Sequence, residues 1–215
     1  MKLSNVLKKL LWTGCFLFSA GMICFFSIAY LHTQKKEHIQ KNISQNILRF
    51  HVLANSNSKE DQTLKLQVRD AVLDYLQKDL SACHDLEKAE KIISEKENEI
   101  LSIAAATIKK AGYTYSVTGE FTDCYFPKKS YGDATFPEGT YHAYRIQIGD
   151  SQGKNWWCVM YPPLCFIDAT HGVLPDASKE QLHASLEEDS YEAVLHDGAP
   201  AIRFKYLTFL NRFFD

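Results

Sequence analysis

The sequence predicts an α/β chain, more narrowly α+β. Two long helices pack on a mostly antiparallel sheet as a two-layer sandwich, behind an N-terminal transmembrane or signal helix. Three observations predict it. Leu10 to Leu31 is a run of 22 residues without Asp, Glu, Lys, Arg, His, Asn or Gln. The apolar period is close to 3.6 from Leu64 to Ile108 and switches to 2 after Gly112. Gly (10) and Pro (6) are few and 13% of the 215 residues are aromatic, which excludes disordered and collagen-like classes.

The apolar run comes first. A 22-residue helix at about 1.5 Å per residue reaches about 33 Å, enough for a hydrocarbon core of about 30 Å. Helices of globular domains usually carry at least one polar stripe, and this run has none. Lys2, Lys8 and Lys9 precede it, with no acid before Glu37, so the N-terminus is expected in the cytoplasm. Ser27-Ile28-Ala29 offers small residues for cleavage after Ala29. The run exceeds the usual ~7–15-residue signal core, and this favours a retained signal-anchor. Neither Trp12-Thr13-Gly14-Cys15 nor Met22-Ile23-Cys24 makes a lipobox.

The expected organisation is therefore a signal peptide or signal-anchor at 1–31 and a linker or stalk at 32–47. An exported α/β domain at 48–175 follows, then a C-terminal tail with short helices at 176–215. Residues 1–31 carry three Lys and no acid, +3. Residues 32–215 carry 21 basic and 26 acidic residues, −5. A mildly acidic exported part, in a chain of pI near 6.4, lacks the basic footprint of nonspecific nucleic-acid binding.

In the stalk, Ile39, Ile43 and Ile47 form a thin apolar stripe. Leu48 to Ala54 reads as a strand ended by the turn residues Asn55-Ser56-Asn57-Ser58. Ser58-Lys59-Glu60-Asp61 has the form of a capping box. The helix it opens carries Leu64, Val68, Ala71, Val72, Tyr75 and Leu76. A second helix is expected from about Asp85 to Ala111, on a stripe through Leu86, Ala89, Ile93, Ile100, Ala104 and Ile108, stopped by Gly112. Tyr113, Tyr115, Val117 and Phe121 then alternate with polar residues. Tyr144, Ile146 and Ile148 alternate with Ala143, Arg145 and Gln147, so the second set is expected on a wet face. Trp156 to Tyr161 is continuously apolar and reads as a central strand. Pro162-Pro163 ends it, and Leu164 to Ile167 is expected to resume extended chain. A short helix at Lys179–Leu186 and an apolar closing segment at Ile202–Phe214 complete the chain.

Chemistry is sparse. No Gly-x-Ser-x-Gly, His-Glu-x-x-His, P-loop or dinucleotide fingerprint occurs. Gly149-Asp150-Ser151-Gln152-Gly153 joins two expected strands and reads as a hairpin turn. Asp168, His171, His183 and His196 are the candidate metal group, but surface histidines are the simpler reading and no metal is expected. His51, on a strand between Phe50 and Val52, reads as a satisfied structural histidine. Cys158 and Cys165 fall opposite each other if Val159 pairs with Leu164. That spacing suits a disulfide, and two buried thiols fit equally well. Cys83 and Cys124 are a candidate second bridge.

Three blocks then resemble one family. Arg49-Phe50-His51-Val52-Leu53-Ala54-Asn55-Ser56 with Glu60-Asp61-Gln62 and Leu64 to Val72 is the first. Phe126-Pro127-Lys128-Lys129-Ser130-Tyr131-Gly132, followed by Pro137-Glu138-Gly139-Thr140-Tyr141, is the second. Gly153-Lys154-Asn155-Trp156-Trp157-Cys158-Val159-Met160-Tyr161-Pro162-Pro163-Leu164-Cys165-Phe166 is the third. Together they resemble stage II sporulation protein R of endospore-forming bacteria, over about residues 48–168. Asn57, Ser130 and His142-Ala143-Tyr144 depart mildly from its pattern.

The resemblance implies a signalling role. Members are made in the forespore and exported into the space between the septal membranes. There they activate a membrane-embedded aspartic peptidase of the mother cell, which processes pro-sigma-E. The chain would be secreted or anchored through residues 10–31, with that peptidase and the membrane as partners. It would not be an enzyme, and no cofactor, small-molecule substrate or nucleic acid is expected. An exported enzyme acting on peptidoglycan or another periseptal substrate is the alternative. Candidate partner contacts are Trp156 or Trp157, whichever leaves the core, with the turns Tyr131-Gly132 and Asn55-Ser56.

Overall fold

The computed structural model describes residues 5–166 and 173–195. The chain divides into two compact units, Met1–Lys41 and Asn42–Asp215. The first described element, α1, is a continuous helix over Asn5–Asn46. From Trp12 it is long and apolar enough to cross a bilayer, a test that a signal sequence also passes. The segment expected as a stalk is therefore helical. Its last apolar positions, Ile43 and Ile47, are fully buried in the second unit.

In that unit, β1 (Leu48–Leu53) leads into α2 (Lys59–Ser81). Ser58 caps α2, its Oγ accepting the Asp61 amide at 3.1 Å, so one of the helix's unpaired first-turn amides is satisfied. The expected second helix is two, α3 (Leu86–Glu95) and α4 (Glu97–Lys110). The break falls at Lys96, whose Nζ bonds Asp79 Oδ2 at 2.6 Å and lies 4.9 Å above the Tyr75 ring. These contacts draw Lys96 onto α2, and its own conformation (φ −100°, ψ 7°) is no longer helical.

Four more strands follow: β2 (Val117–Phe126), β3 (Lys129–Tyr131), β4 (Ala134–Phe136) and β5 (Gly139–Ile148). The last strand is β6 (Asn155–Tyr161). The main sheet has the order β2-β5-β1-β6, and β3-β4 is a separate hairpin. β1 runs parallel to β5 and antiparallel to β6, so the sheet is mixed. The strand starts at Val117, leaving Tyr113 and Tyr115 stacked on each other in the preceding loop. β6 is an edge strand, not a central one. From Cys158 to Tyr161 both its faces are buried nonetheless, which accounts for the apolar character of that stretch. Leu164–Phe166 is a 3₁₀ turn rather than extended chain. Two helices follow, α5 (Asp176–Ser185) and α6 (Glu188–Leu195). The expected Ile202–Phe214 segment lies outside the described residues.

The core lies between the sheet and α2, α3 and α4. Phe50, Val52, Tyr144, Ile146, Ile148, Cys158 and Met160 meet Leu64, Val68, Val72, Leu76, Ile93, Ile100, Ala104 and Ile108. Each large aliphatic side chain buried there contributes roughly 1.5–3 kcal/mol. The opposite face is not wholly wet as the alternation suggested. Tyr141 and Ala143 are buried there, with Arg49, Val159, Phe126 and Phe136.

Candidate functional site

Strand register places the residues of that opposite face. Thr122, Ala143, Arg49 and Val159 form one row across the four strands; Glu120, Arg145, His51 and Trp157 form the next. Near the second row the surface is polar: Arg145 Nε and NH2 both donate to Glu120 Oε1. Around the first row it is closed by aromatic rings. The Arg49 guanidinium lies 4.4 Å from the Phe126 ring centre, 5.1 Å from Tyr141, 5.6 Å from Phe136 and 5.9 Å from Tyr131. Arg49 has no exposed surface, and Nε, NH1 and NH2 make no hydrogen bond of full geometry, although the Tyr131 hydroxyl acts on the guanidinium. The Tyr131 hydroxyl itself donates to the Trp157 carbonyl at 3.2 Å, and that of Tyr141 to Pro137 O at 2.7 Å. Burial pushes the Arg49 pKa down, yet a guanidinium stays protonated at neutral pH.

His51 is 4% exposed and stacks on Trp157 with ring centres 3.9 Å apart. Burial pulls its pKa down to about 4, so the imidazole is neutral at pH 7. Cys124 Sγ lies 3.8 Å from His51 Nδ1. A thiol beside an imidazole is the outline of a nucleophile and its base, but the electrostatics run the other way. Burial raises the Cys124 pKa while lowering that of His51, so the neutral thiol and neutral imidazole are both favoured. This pair was invisible in the sequence because the tertiary fold, not spacing or strand pairing, brings Cys124 to His51; their partners on β5 are Tyr141 and Arg145 respectively. The fold also separates Cys124 from Cys83, which sits after α2 with its thiol 3.2 Å from Asp85 O. Both thiols are free, so the candidate second bridge does not form.

The other sequence candidates are dispersed. Trp156 faces the helices, edge-on to Phe50 and beneath the Arg69 guanidinium at 4.9 Å. Trp157 lies on the opposite face, between His51 and Phe126. Both are half-buried. Cys158 and Cys165 are joined by a disulfide with Cα atoms 5.6 Å apart, reached through the 3₁₀ turn rather than a second strand. Tyr131 is a wall of the Arg49 box. Gly132 turns the β3–β4 hairpin at φ +60° against the backbone of Val173 and Leu174.

Asn55 and Ser56 point inward. Asn55 Nδ2 and Ser56 Oγ donate to Asp61 Oδ2 at 2.9 and 2.6 Å, and Asn55 Oδ1 accepts the Asp150 amide. Hydrogen bonds from Ser56 and Asn55 hold the Asp61 carboxyl below its usual range. Gly153 backs directly onto Ser56 O, leaving no room for a Cβ. The Asn55-Ser56 turn is thus an internal clamp between β1, α2 and the β5–β6 turn. Among the described residues no three His, Cys, Asp or Glu side chains are placed to hold a metal ion. His183 is engaged by Glu188 at 2.9 Å, and Asp168, His171 and His196 lie outside the described residues.

An apolar helix of membrane-crossing length followed by a mixed α+β unit defines the class of protein. The chain belongs to the stage II sporulation protein R family, whose model matches residues 44–171. Stage II sporulation protein R of Bacillus subtilis (strain 168) is 38% identical over 164 residues, 76% of this chain and 72% of that protein. No solved structure matches the chain. Its role is in sporulation.

Proposed function

We propose that the chain is an exported sporulation signalling protein. It acts from the septal intermembrane space and switches on the membrane-embedded aspartic peptidase that processes pro-sigma-E. Family membership across most of the globular unit carries this reading. The neutral Cys124–His51 pair supports it, because that pair is poorly set for nucleophilic chemistry. Residues 10–31 target the chain to the membrane and leave it anchored or secreted.

Activation needs no chemistry from this chain. It must only bind the active form of the peptidase more tightly than the inactive form, and a shift from 1:99 to 99:1 takes about 10⁴-fold preference. The Trp157 face and the Tyr131-Gly132 hairpin are the surfaces proposed for contact. The alternative, an exported enzyme acting on peptidoglycan, has Cys124 beside His51 as its candidate nucleophile and base. A sigma-E-dependent reporter in a deletion strain tests the proposal. Lost pro-sigma-E processing, restored both by the wild-type gene and by Cys124→Ser, is the expected result. Normal processing in the deletion strain would refute it.

A further inference from the structure

Arg49 sits at the start of a central strand, where an aliphatic side chain would fill the same space. Its neighbours in the row, Ala143 and Val159, are apolar and fully buried. A guanidinium has five N–H donors, and here none of the three nitrogens makes a hydrogen bond of full geometry, the Tyr131 hydroxyl acting on the guanidinium only from a poorer position. Aromatic rings offset only part of the cost of desolvating a cation. The closed structure therefore holds a buried charge without its counterpart.

The cover over this charge is the β3–β4 hairpin, backed by α6 against β4. Two of the four walls, Tyr131 and Phe136, belong to the β3–β4 hairpin, whose strands have three residues each and no pairing with the main sheet. The hairpin is tied down by the Tyr131–Trp157 hydrogen bond, by Asp133 Oδ1 on the Leu174 amide at 2.8 Å, and by the Asp133–Lys179 ion pair. Lys128 and Lys129 are exposed at its leading edge, on a unit whose net charge is otherwise negative.

We infer that Arg49 is the receptor for a carboxylate on an acidic segment of the partner protein, reached when that segment displaces the β3–β4 hairpin. The lysines draw the acidic segment to the hairpin, and the planar guanidinium takes the carboxylate by two parallel hydrogen bonds. The inference rests on the reading above that the chain acts by binding a partner.

The test uses the full chain in zwitterionic micelles. The probes are N-acetylated, C-amidated tetraglutamate and tetraglutamine, at fixed ionic strength, with tryptophan emission as the readout because Trp157 borders the box. Tetraglutamate should shift the emission and tetraglutamine should not. Arg49→Met should abolish the shift, leave the melting temperature equal to or above wild type, and reduce pro-sigma-E cleavage at least about tenfold. Asp133→Asn, which loosens the hairpin without touching Arg49, should bind tetraglutamate more tightly than wild type. Equal responses to the two peptides, an unchanged response in Arg49→Met, or full signalling by that variant would overturn the inference. A tetraglutamate response that needs Arg49, in a chain without effect on the peptidase, would support the carboxylate site and refute the activator role instead.

Discussion

The neutral, buried His51 makes the stability of the globular unit pH-dependent in a calculable way. Its folded pKa is about 4, against about 6.5 in an unfolded chain. The folded value is the lower one, so below pH 6.5 the unfolded chain takes up a proton that the folded chain refuses. The stabilisation is complete above pH 6.5 and is lost as pH falls toward 4. A difference of about 2.5 units at 1.36 kcal/mol per unit sets a ceiling of about 3.4 kcal/mol, of which about 2 kcal/mol is gone at pH 5. The perturbation is His51→Leu, which cannot titrate. Urea denaturation followed by tryptophan emission, at pH 7 and pH 5 on both proteins, separates this effect from the carboxylates they share. Wild type should lose about 2 kcal/mol more than the variant between the two pH values. Equal losses would refute the reasoning and place a protonatable, solvated imidazole at position 51.

Other consequences are independent of His51. Acid should act on Asp61 in a lower window: its folded pKa is depressed, so its contribution is present above about pH 4 and lost as pH falls through the folded value. Asp61→Ala should destabilise the chain by about 1–3 kcal/mol in urea titrations at pH 7, and much less near pH 2. Cys158→Ser with Cys165→Ser opens a loop closed at a sequence separation of 7, which the chain-entropy relation values at about 2.5 kcal/mol. The double variant should lose about that amount, and reduced wild type should match it. Gly153→Ala pushes a methyl into the Ser56 carbonyl, and thermal melting should show a loss of more than about 1 kcal/mol. An unchanged melting temperature would mean the turn relaxes freely.

Much of the helix-side core was legible because it rests on periodicity. Leu64, Val68 and Val72, or Tyr144, Ile146 and Ile148, declare a buried face before any partner is known. The break at Lys96 was not legible, since it depends on Asp79 and Tyr75, which lie on another helix. The parallel β1–β5 pairing joins residues more than ninety positions apart, and nothing local marks it. The opposite face suffered most from this. Ala143 alternates like a solvent-facing residue, yet it is fully buried, as is Tyr141 beside it on the same face. Nothing local marks Arg49 as buried, because the four aromatic rings that enclose it come from distant elements. Asn55 and Ser56 were legible as a turn, but only the inward direction of their side chains shows them to be a clamp.

The central claim is that this chain activates a peptidase and does not itself cut. Its most direct test is co-expression with the membrane-embedded aspartic peptidase and pro-sigma-E in a non-sporulating host, with pro-sigma-E cleavage followed by immunoblot. Cleavage should occur only when all three are present, and should persist when this chain carries Cys124→Ser. Cleavage without this chain, or none with all three produced and folded, would contradict the account.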